Sequence, residues 1–198
     1  MIKDRIIELL QGTDRDGMNN LIKCMDENGF FTAPCSGQYH LCKEGGLAEH
    51  SLNVYNIMTN FTFAVYGENM DATKNGYDFL NSVIITSLLH DLGKMGQFGK
   101  SNYVPNMIKD RKTKELVQSE KKPFETNKEL LSIPHEIRSI QIATQFIQLI
   151  EEENFAILYH NGMYSDLKYQ LNGKERPLQM LLHFADMWAS RVIEREEA

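Results

Sequence analysis

The stretch Leu88-Leu89-His90-Asp91-Leu92-Gly93-Lys94 decides the reading of this chain. It closes an apolar segment, Phe79 to His90, with a histidine and an aspartate side by side, then a glycine stop, then a cation one turn on. A carboxylate carried into apolar surroundings is costly unless a partner compensates its charge. A divalent ion is such a partner: imidazole nitrogen together with carboxylate oxygen suits Mn, Fe, Co, Ni or Zn, with Mg also admitted.

Outward from this stretch, two segments repeat the pattern. Upstream, Gly45-Gly46-Leu47-Ala48-Glu49-His50-Ser51-Leu52 places His50 early on a long helix. Downstream, Asp186 stands among Leu181, Leu182, Phe184 and Ala185, where an unpaired carboxylate is again costly. His183 precedes Asp186 by three and is either a support for the same pocket or a core or cap residue. All six histidines, His40, His50, His90, His135, His160 and His183, fall near helix ends or loops. A lone histidine on a helix face is more often a surface or hydrogen-bonded core residue than a ligand. The set is therefore judged by its combination.

Between these landmarks the spacing is helical. Ile2 to Leu10 and Met18 to Met25 form two short helices ending at Gly12 and Gly29, and Phe31 to Gly46 is a loop rich in Gly, Pro and Ser. Leu47 to Tyr66, Phe79 to His90, Pro134 to Ile150, Glu151 to His160 and Pro177 to Glu194 complete the helices. Pro134 and Pro177 open first turns, where a missing N–H is harmless. The last helix is expected to bury Leu178, Leu181, Leu182, Ala185, Trp188 and Val192, and Phe61 and Phe63 are core by their spacing. Residues 97–128 break the pattern and read as a hairpin or lid. Within it, Lys109 to Lys122 holds six basic residues against three acidic ones, which makes it either a solvated loop or a cover for an anionic substrate.

Composition removes several classes. The 198 residues carry 42% hydrophobic and 24% charged residues, which fits one globular domain over 1–198 rather than a disordered or fibrous chain. The net charge of −6 disfavours broad wrapping of duplex nucleic acid, which depends on many Lys and Arg contacts to phosphate. A small anionic substrate needs only a few local cations or a metal. Cys24, Cys35 and Cys42 are odd in number and form no CxxC pair, so they read as thiols rather than a disulfide framework. Met1 to Leu10 is a charged amphipathic start, and no apolar run approaches the roughly 18 residues of a span, so a cytoplasmic protein with no membrane partner is expected.

On His50, the pair His90 with Asp91, and the distant Asp186, the chain resembles the HD-domain superfamily of metal-dependent phosphohydrolases over about residues 30–195. The run Ala33 to Leu52, APCSGQYHLCKEGGLAEHSL, is similar to the start of bacterial HD-type 3'-to-5' exoribonucleases and of small HD hydrolases of Firmicutes and their phages. The resemblance implies an all-α helical bundle in which His50, His90, Asp91 and Asp186 hold one divalent ion. Members with two ions add histidines between the pair and the last aspartate; by resemblance, His135 and His160 hold the second ion and Asp91 bridges both. Asn161 stands where fully binuclear relatives often have another histidine, which leaves that second site one ligand short.

The expected function is hydrolysis of phosphate esters or anhydrides of a nucleotide or similar small phosphate compound, with Asp91 and Lys94 as catalytic residues. Lys94 follows Asp91 by three and Arg138 follows His135 by three, about 60° round a helix, so both are candidates for binding phosphate, with a plain surface salt bridge as the alternative. Tyr39 and His40 precede the glycine pair and either touch substrate or pack the loop. Two other functions stay open. One is an exoribonuclease or phosphodiesterase acting on short single strands, for which Lys109 to Lys122 would be the contact. The other is a non-catalytic metal or nucleotide sensor, which the full ligand set argues against. The oligomeric state is not legible.

Overall fold

The computed structural model describes residues 1–67 and 78–195. Its helices are α1 (Ile2–Gln11), α2 (Met18–Glu27), α3 (Gly46–Tyr66), α4 (Phe79–Leu89), α5 (His135–Ala143), α6 (Glu151–Leu158), α7 (Lys168–Leu171) and α8 (Pro177–Trp188). A 3-10 turn, Leu92–Lys94, follows α4, and a π turn, Ala189–Ile193, follows α8.

Helix α4 is apolar on all sides and is correspondingly central, with Val83, Ile85, Leu88 and Leu89 buried. Its hydroxyls are satisfied without water. Thr86 donates to the Ser82 carbonyl at 2.7 Å, Ser87 to the Val83 carbonyl at 2.6 Å, and Ser82 to the Glu153 carboxylate at 2.8 Å. Asp78 caps the helix by accepting from the Leu80 and Asn81 N–H groups. One core cluster gathers α1, α2, Phe30, Leu47, α4 and α5; a second gathers Val54, Met58, Val83, Ala156 and the inner face of α8. Helices α3, α4 and α6 contribute to both.

The all-α expectation is corrected by four short strands. Strand β1 (Tyr103–Pro105) pairs antiparallel with β4 (Phe124–Thr126), and β2 (Met107–Lys109) with β3 (Leu116–Gln118), giving two small sheets and a mixed α/β chain. They lie within 97–128, where a hairpin was expected. The pairing is nested, so the two sheets are successive tiers of one ribbon, with Asn106 and Ser119 joined at the step by a 2.9 Å backbone hydrogen bond. Aromatic and β-branched residues (Tyr103, Val104, Ile108, Val117, Phe124) favour the extended state, but three-residue strands are too short to show alternation in sequence.

Other expectations are revised as well. Helix α5 stops at Ala143 rather than near Ile150: Thr144 donates its hydroxyl to the Ile140 carbonyl, and the backbone continues in three-residue turns at Gln145 and Phe146. Pro134 caps α5 instead of opening its first turn, whereas Pro177 does occupy the first turn of α8. Trp188 and Val192 are exposed at 48% and 53%, because the core-facing side of α8 is the one bearing Leu178, Leu181, Leu182 and Ala185, and Phe63 on α3 is exposed at 46%. No disulfide joins Cys24, Cys35 or Cys42. Among the described residues, no helix is long and apolar enough to cross a membrane.

Candidate metal centre

Backbone geometry first brings the elements close. Gly46 starts α3 directly beneath the Leu41 carbonyl, where a Cβ would collide with that oxygen; only glycine lets the loop fold back over the start of the helix that carries His50. Gly93 is equally constrained, since a Cβ there would run into the His135 carbonyl at the start of α5. That approach is locked by Ser139, whose hydroxyl accepts from the Gly93 N–H at 2.8 Å and lies 2.7 Å from the His90 carbonyl. His135 is thereby set against Asp91.

The four imidazoles are then aimed by what each Nδ1 meets. Nδ1 of His90 donates to the Ser87 carbonyl at 2.8 Å, and Nδ1 of His160 to the Ile157 carbonyl at 2.8 Å. Nδ1 of His50 lies 2.9 Å from Glu194 Oε2, and Nδ1 of His135 lies 3.1 Å from Glu136 Oε2. In every case Nε2 is left facing inward. These four atoms surround Asp91: His50 and His90 stand 3.6 and 3.5 Å from Oδ2, while His135 and His160 stand 3.3 and 3.8 Å from Oδ1. Asp186 Oδ1 completes one side at 3.3 Å from His50 Nε2.

Two groups could hold a metal ion here, His50 with His90 and Asp186, and His90 with Asp91 and His160. The fit shows in the hydrogen-bond accounting, because His50 Nε2, His90 Nε2 and Asp91 Oδ1 are buried without a hydrogen-bond partner. Buried polar atoms are almost always paired, so three such atoms on one cluster mark a place for a ligand that binds nitrogen and oxygen.

The electrostatics agree. For Asp91, burial works to raise the carboxyl, but Lys94 and the surrounding histidines hold it well below the usual carboxylate range. Asp186 is likewise lowered against its own burial, chiefly by His50. Burial pushes His135 down to about 3 and His160 down to about 4, so both are neutral near pH 7. His50 behaves oppositely. Burial alone would lower it, yet Cys35, Asp186 and Glu194 together raise it well above its ordinary value. Because burial pushes the Cys35 thiol itself up to about 11, that group is uncharged at neutral pH, and the two carboxylates are what hold the His50 proton.

The remaining candidates divide. Lys94 belongs to the cluster, donating to Asp91 Oδ2 at 2.6 Å. Burial works to lower Lys94, but Asp91 outweighs it and raises the ammonium further. Arg138 does not face the cluster: its buried guanidinium donates to Gln97 at 3.1 Å and to the Leu131 carbonyl at 2.6 Å, fastening the base of the ribbon to α5. These two bonds place its guanidinium at the foot of the ribbon, apart from the bonds that define the cluster. Tyr39 is 76% exposed and makes no hydrogen bond to the cluster, which leaves it a loop residue. His40 places Nε2 3.3 Å from Cys35 Sγ and 3.9 Å from Glu194 Oε2, on the far side of His50. His183 donates to the His160 carbonyl at 2.8 Å and so braces the turn that carries His160. Asn161 turns its amide to within 3.5 Å of His135 Nε2.

Sequence reasoning missed Glu194, Glu136 and Cys35. Glu194 lies in the charged run Glu194-Arg195-Glu196-Glu197, where one buried carboxylate carries no distinguishing signal. Cys35 was detectable as a cysteine five residues before His40 in the loop preceding the glycine pair. Comparison of the chain with family models, with curated proteins and with solved structures found no match.

Proposed function

We propose that the protein is a metal-dependent phosphohydrolase of the HD type, acting on a nucleotide or a similar small phosphate compound. The observation that carries this reading is the convergence of four Nε2 atoms on the two oxygens of Asp91. His50, His90, Asp186 and Asp91 Oδ2 would hold one divalent ion; His135, His160 and Asp91 Oδ1 would hold a second. The chemistry such ions supply when bound is Lewis acidity, which polarises a phosphoryl oxygen and makes water a better nucleophile at neutral pH.

The chain's own residues prepare that chemistry. Glu194, Glu136, Ser87 and Ile157 fix the imidazoles before any ligand arrives, so little reorganisation is needed. Lys94 keeps a cation beside the reacting centre, where it can offset phosphate charge. Glu194 meets Nδ1 of His50, which leaves Nε2 as the atom that would hold an ion, with the neighbouring carboxylates to balance its charge. A small substrate suits this site because its cations are few.

The testing experiment incubates the Mn-loaded protein with nucleotides, cyclic dinucleotides and short RNA. Phosphate release from a nucleotide should be abolished by Asp91→Ala and weakened by Lys94→Ala. Equal rates for wild type and Asp91→Ala on every substrate would end this reading. A second reading, cleavage of short single strands, is favoured by the ribbon tip, where Lys109, Arg111, Lys112 and Lys114 are exposed.

A further inference from the structure

Behind His50, on the face turned away from Asp91, lies a second constellation, which shares only Glu194 with the hydrolytic reading. Cys35, His40 and Glu194 meet there, with Sγ of Cys35 3.3 Å from Nε2 of His40, and that same nitrogen 3.9 Å from Glu194 Oε2. Cys35 is fully buried, and the Glu194 side chain is 1% exposed. Cys35, His40 and His50 also form a group whose ligand atoms lie within 4.8 Å of one another.

We propose that Cys35, His40 and Glu194 form a separate binding site for a thiophilic divalent ion of the zinc class. Thiolate, imidazole and carboxylate are the three ligand types Zn2+ takes, and in a tetrahedral site with ordinary bond lengths the donor atoms lie about 3.3 to 3.6 Å apart. The two separations about His40 Nε2, 3.3 Å to Cys35 Sγ and 3.9 Å to Glu194 Oε2, bracket that range. His50 engages Glu194 through Nδ1, at 2.9 Å to one oxygen and 3.1 Å to the other, so it supports the carboxylate and keeps Nε2 for the first cluster.

The donors are held in place before an ion arrives. The Cys35 N–H donates to the Leu41 carbonyl at 3.1 Å, Ser36 donates its hydroxyl to the His40 carbonyl at 2.9 Å, and the Tyr39 N–H donates to that hydroxyl at 2.9 Å. Glu194 in turn is set by the π turn, whose 2.9 Å hydrogen bond runs from its N–H to the Ala189 carbonyl. A surface cavity lined by Cys42, Asn53 and Glu194, among others, opens on the Glu194 side of this group. Binding exchanges the Cys35 S–H for an S–metal bond and releases the proton to solvent, with no change of oxidation state. The bound ion would join the loop before α3 to the end of the described chain, and would fix the carboxylate that orients His50.

Cobalt titration of the metal-stripped full chain tests this, because a thiolate bound to Co2+ gives an intense near-ultraviolet charge-transfer band that nitrogen and oxygen ligands do not. The band should saturate in the wild type at an intensity matching one thiolate-bound Co2+ per chain, vanish in Cys35→Ser and weaken in His40→Ala. His90→Ala, which breaks the first cluster, should keep it. Cobalt uptake by the wild type without the band overturns the proposal, as does a band that survives Cys35→Ser and therefore belongs to Cys24 or Cys42. Should Cys35→Ser fail to fold by circular dichroism, the double variant Cys24→Ser with Cys42→Ser decides instead: it must retain the band, and loss overturns the site. The readout is independent of hydrolysis, so an absent band leaves the phosphohydrolase reading standing, and an inactive enzyme leaves this site standing.

Discussion

The carboxylate of Glu194 lies 2.9 Å from Nδ1 of His50, a residue 144 positions earlier in the chain. The same carboxylate accepts from Asn53 at 2.9 Å, one turn along α3 from His50. The end of the described chain thus dictates which nitrogen of His50 points at Asp91 and Asp186.

Removing that carboxylate should loosen metal binding without removing a ligand of the first cluster. Glu194→Ala is expected to weaken Mn2+ affinity roughly 10- to 100-fold, the usual effect of deleting a group that orients a metal-binding histidine. Glu194→Gln, which keeps an acceptor oxygen, should lie between. Calorimetric titration with Mn2+ is the appropriate measurement, since this hard ion is a poor match for a thiolate site. An unchanged affinity in Glu194→Ala would show that His50 needs no such guide.

The acid response of the metal-stripped protein follows from His160. It is 1% exposed, and burial, with His90 adding to it, pushes it down to about 4 from an ordinary 6.5. A depressed folded value means that the unfolded chain binds the proton more readily, so stability is present above pH 6.5 and is lost as pH falls towards 4. The slope for one such group is of order 1 kcal/mol per pH unit. His135 acts in the same direction, softened because three-tenths of its side chain reaches solvent. His50, being raised, contributes a constant amount below pH 6.5 and does not oppose this fall. Urea midpoints at several pH values between 7 and 4.5 should decline, and His160→Gln should flatten the decline.

How much of this was legible in sequence depends on contrast. His90, Asp91 and Asp186 stood out because charged or polar groups interrupt apolar helical runs, and His50 because it follows a glycine pair. Glu194 and Glu136 gave no contrast, since each lies among other polar residues. The end of α5 was hidden because apolar residues continue at Ile147, Leu149 and Ile150 beyond the point where the Thr144 hydroxyl takes over a helical carbonyl. Arg138 looked like a free cation by spacing alone; its partners Gln97 and Leu131 lie on segments whose course the sequence does not disclose.

A further buried carboxylate escaped the sequence for the same reason. Glu153 is fully buried and takes two hydrogen bonds from Arg15, at 2.8 and 3.0 Å, besides those from Ser82 and the Ile150 N–H. Arg15→Ala leaves that charge buried and only partly answered. The expected loss is about 3 kcal/mol, at the low end for a broken buried pair because Arg15 is 22% exposed. Urea unfolding should show a lower midpoint with an unchanged slope.

Within the proposed hydrolytic reading, the choice between a nucleotide and a strand as substrate rests on the ribbon tip. Lys109, Arg111, Lys112 and Lys114 are exposed there, and the tip turn is held by Asp110, which accepts from the Lys112 and Thr113 N–H groups at 2.7 Å each. Lys114 also donates to the Arg111 carbonyl at 2.9 Å, so the four cations are neutralised together to Gln, which keeps an N–H donor there while Asp110 holds the turn. If the substrate is a small phosphate compound, its contacts are confined to the metal centre and Lys94, so turnover should change little and should depend mildly on salt. A single strand lying along the ribbon would instead lose affinity steeply with salt, with a logarithmic slope of about 0.7 for each phosphate neutralised. Oligonucleotide cleavage that outpaces nucleotide hydrolysis, with a steep salt dependence that disappears in the fourfold Gln variant, would transfer the site to the nuclease reading. Comparable nucleotide turnover in the variant and the wild type, with slow cleavage of the oligonucleotide by both, is the outcome the few cations around Asp91 lead us to expect.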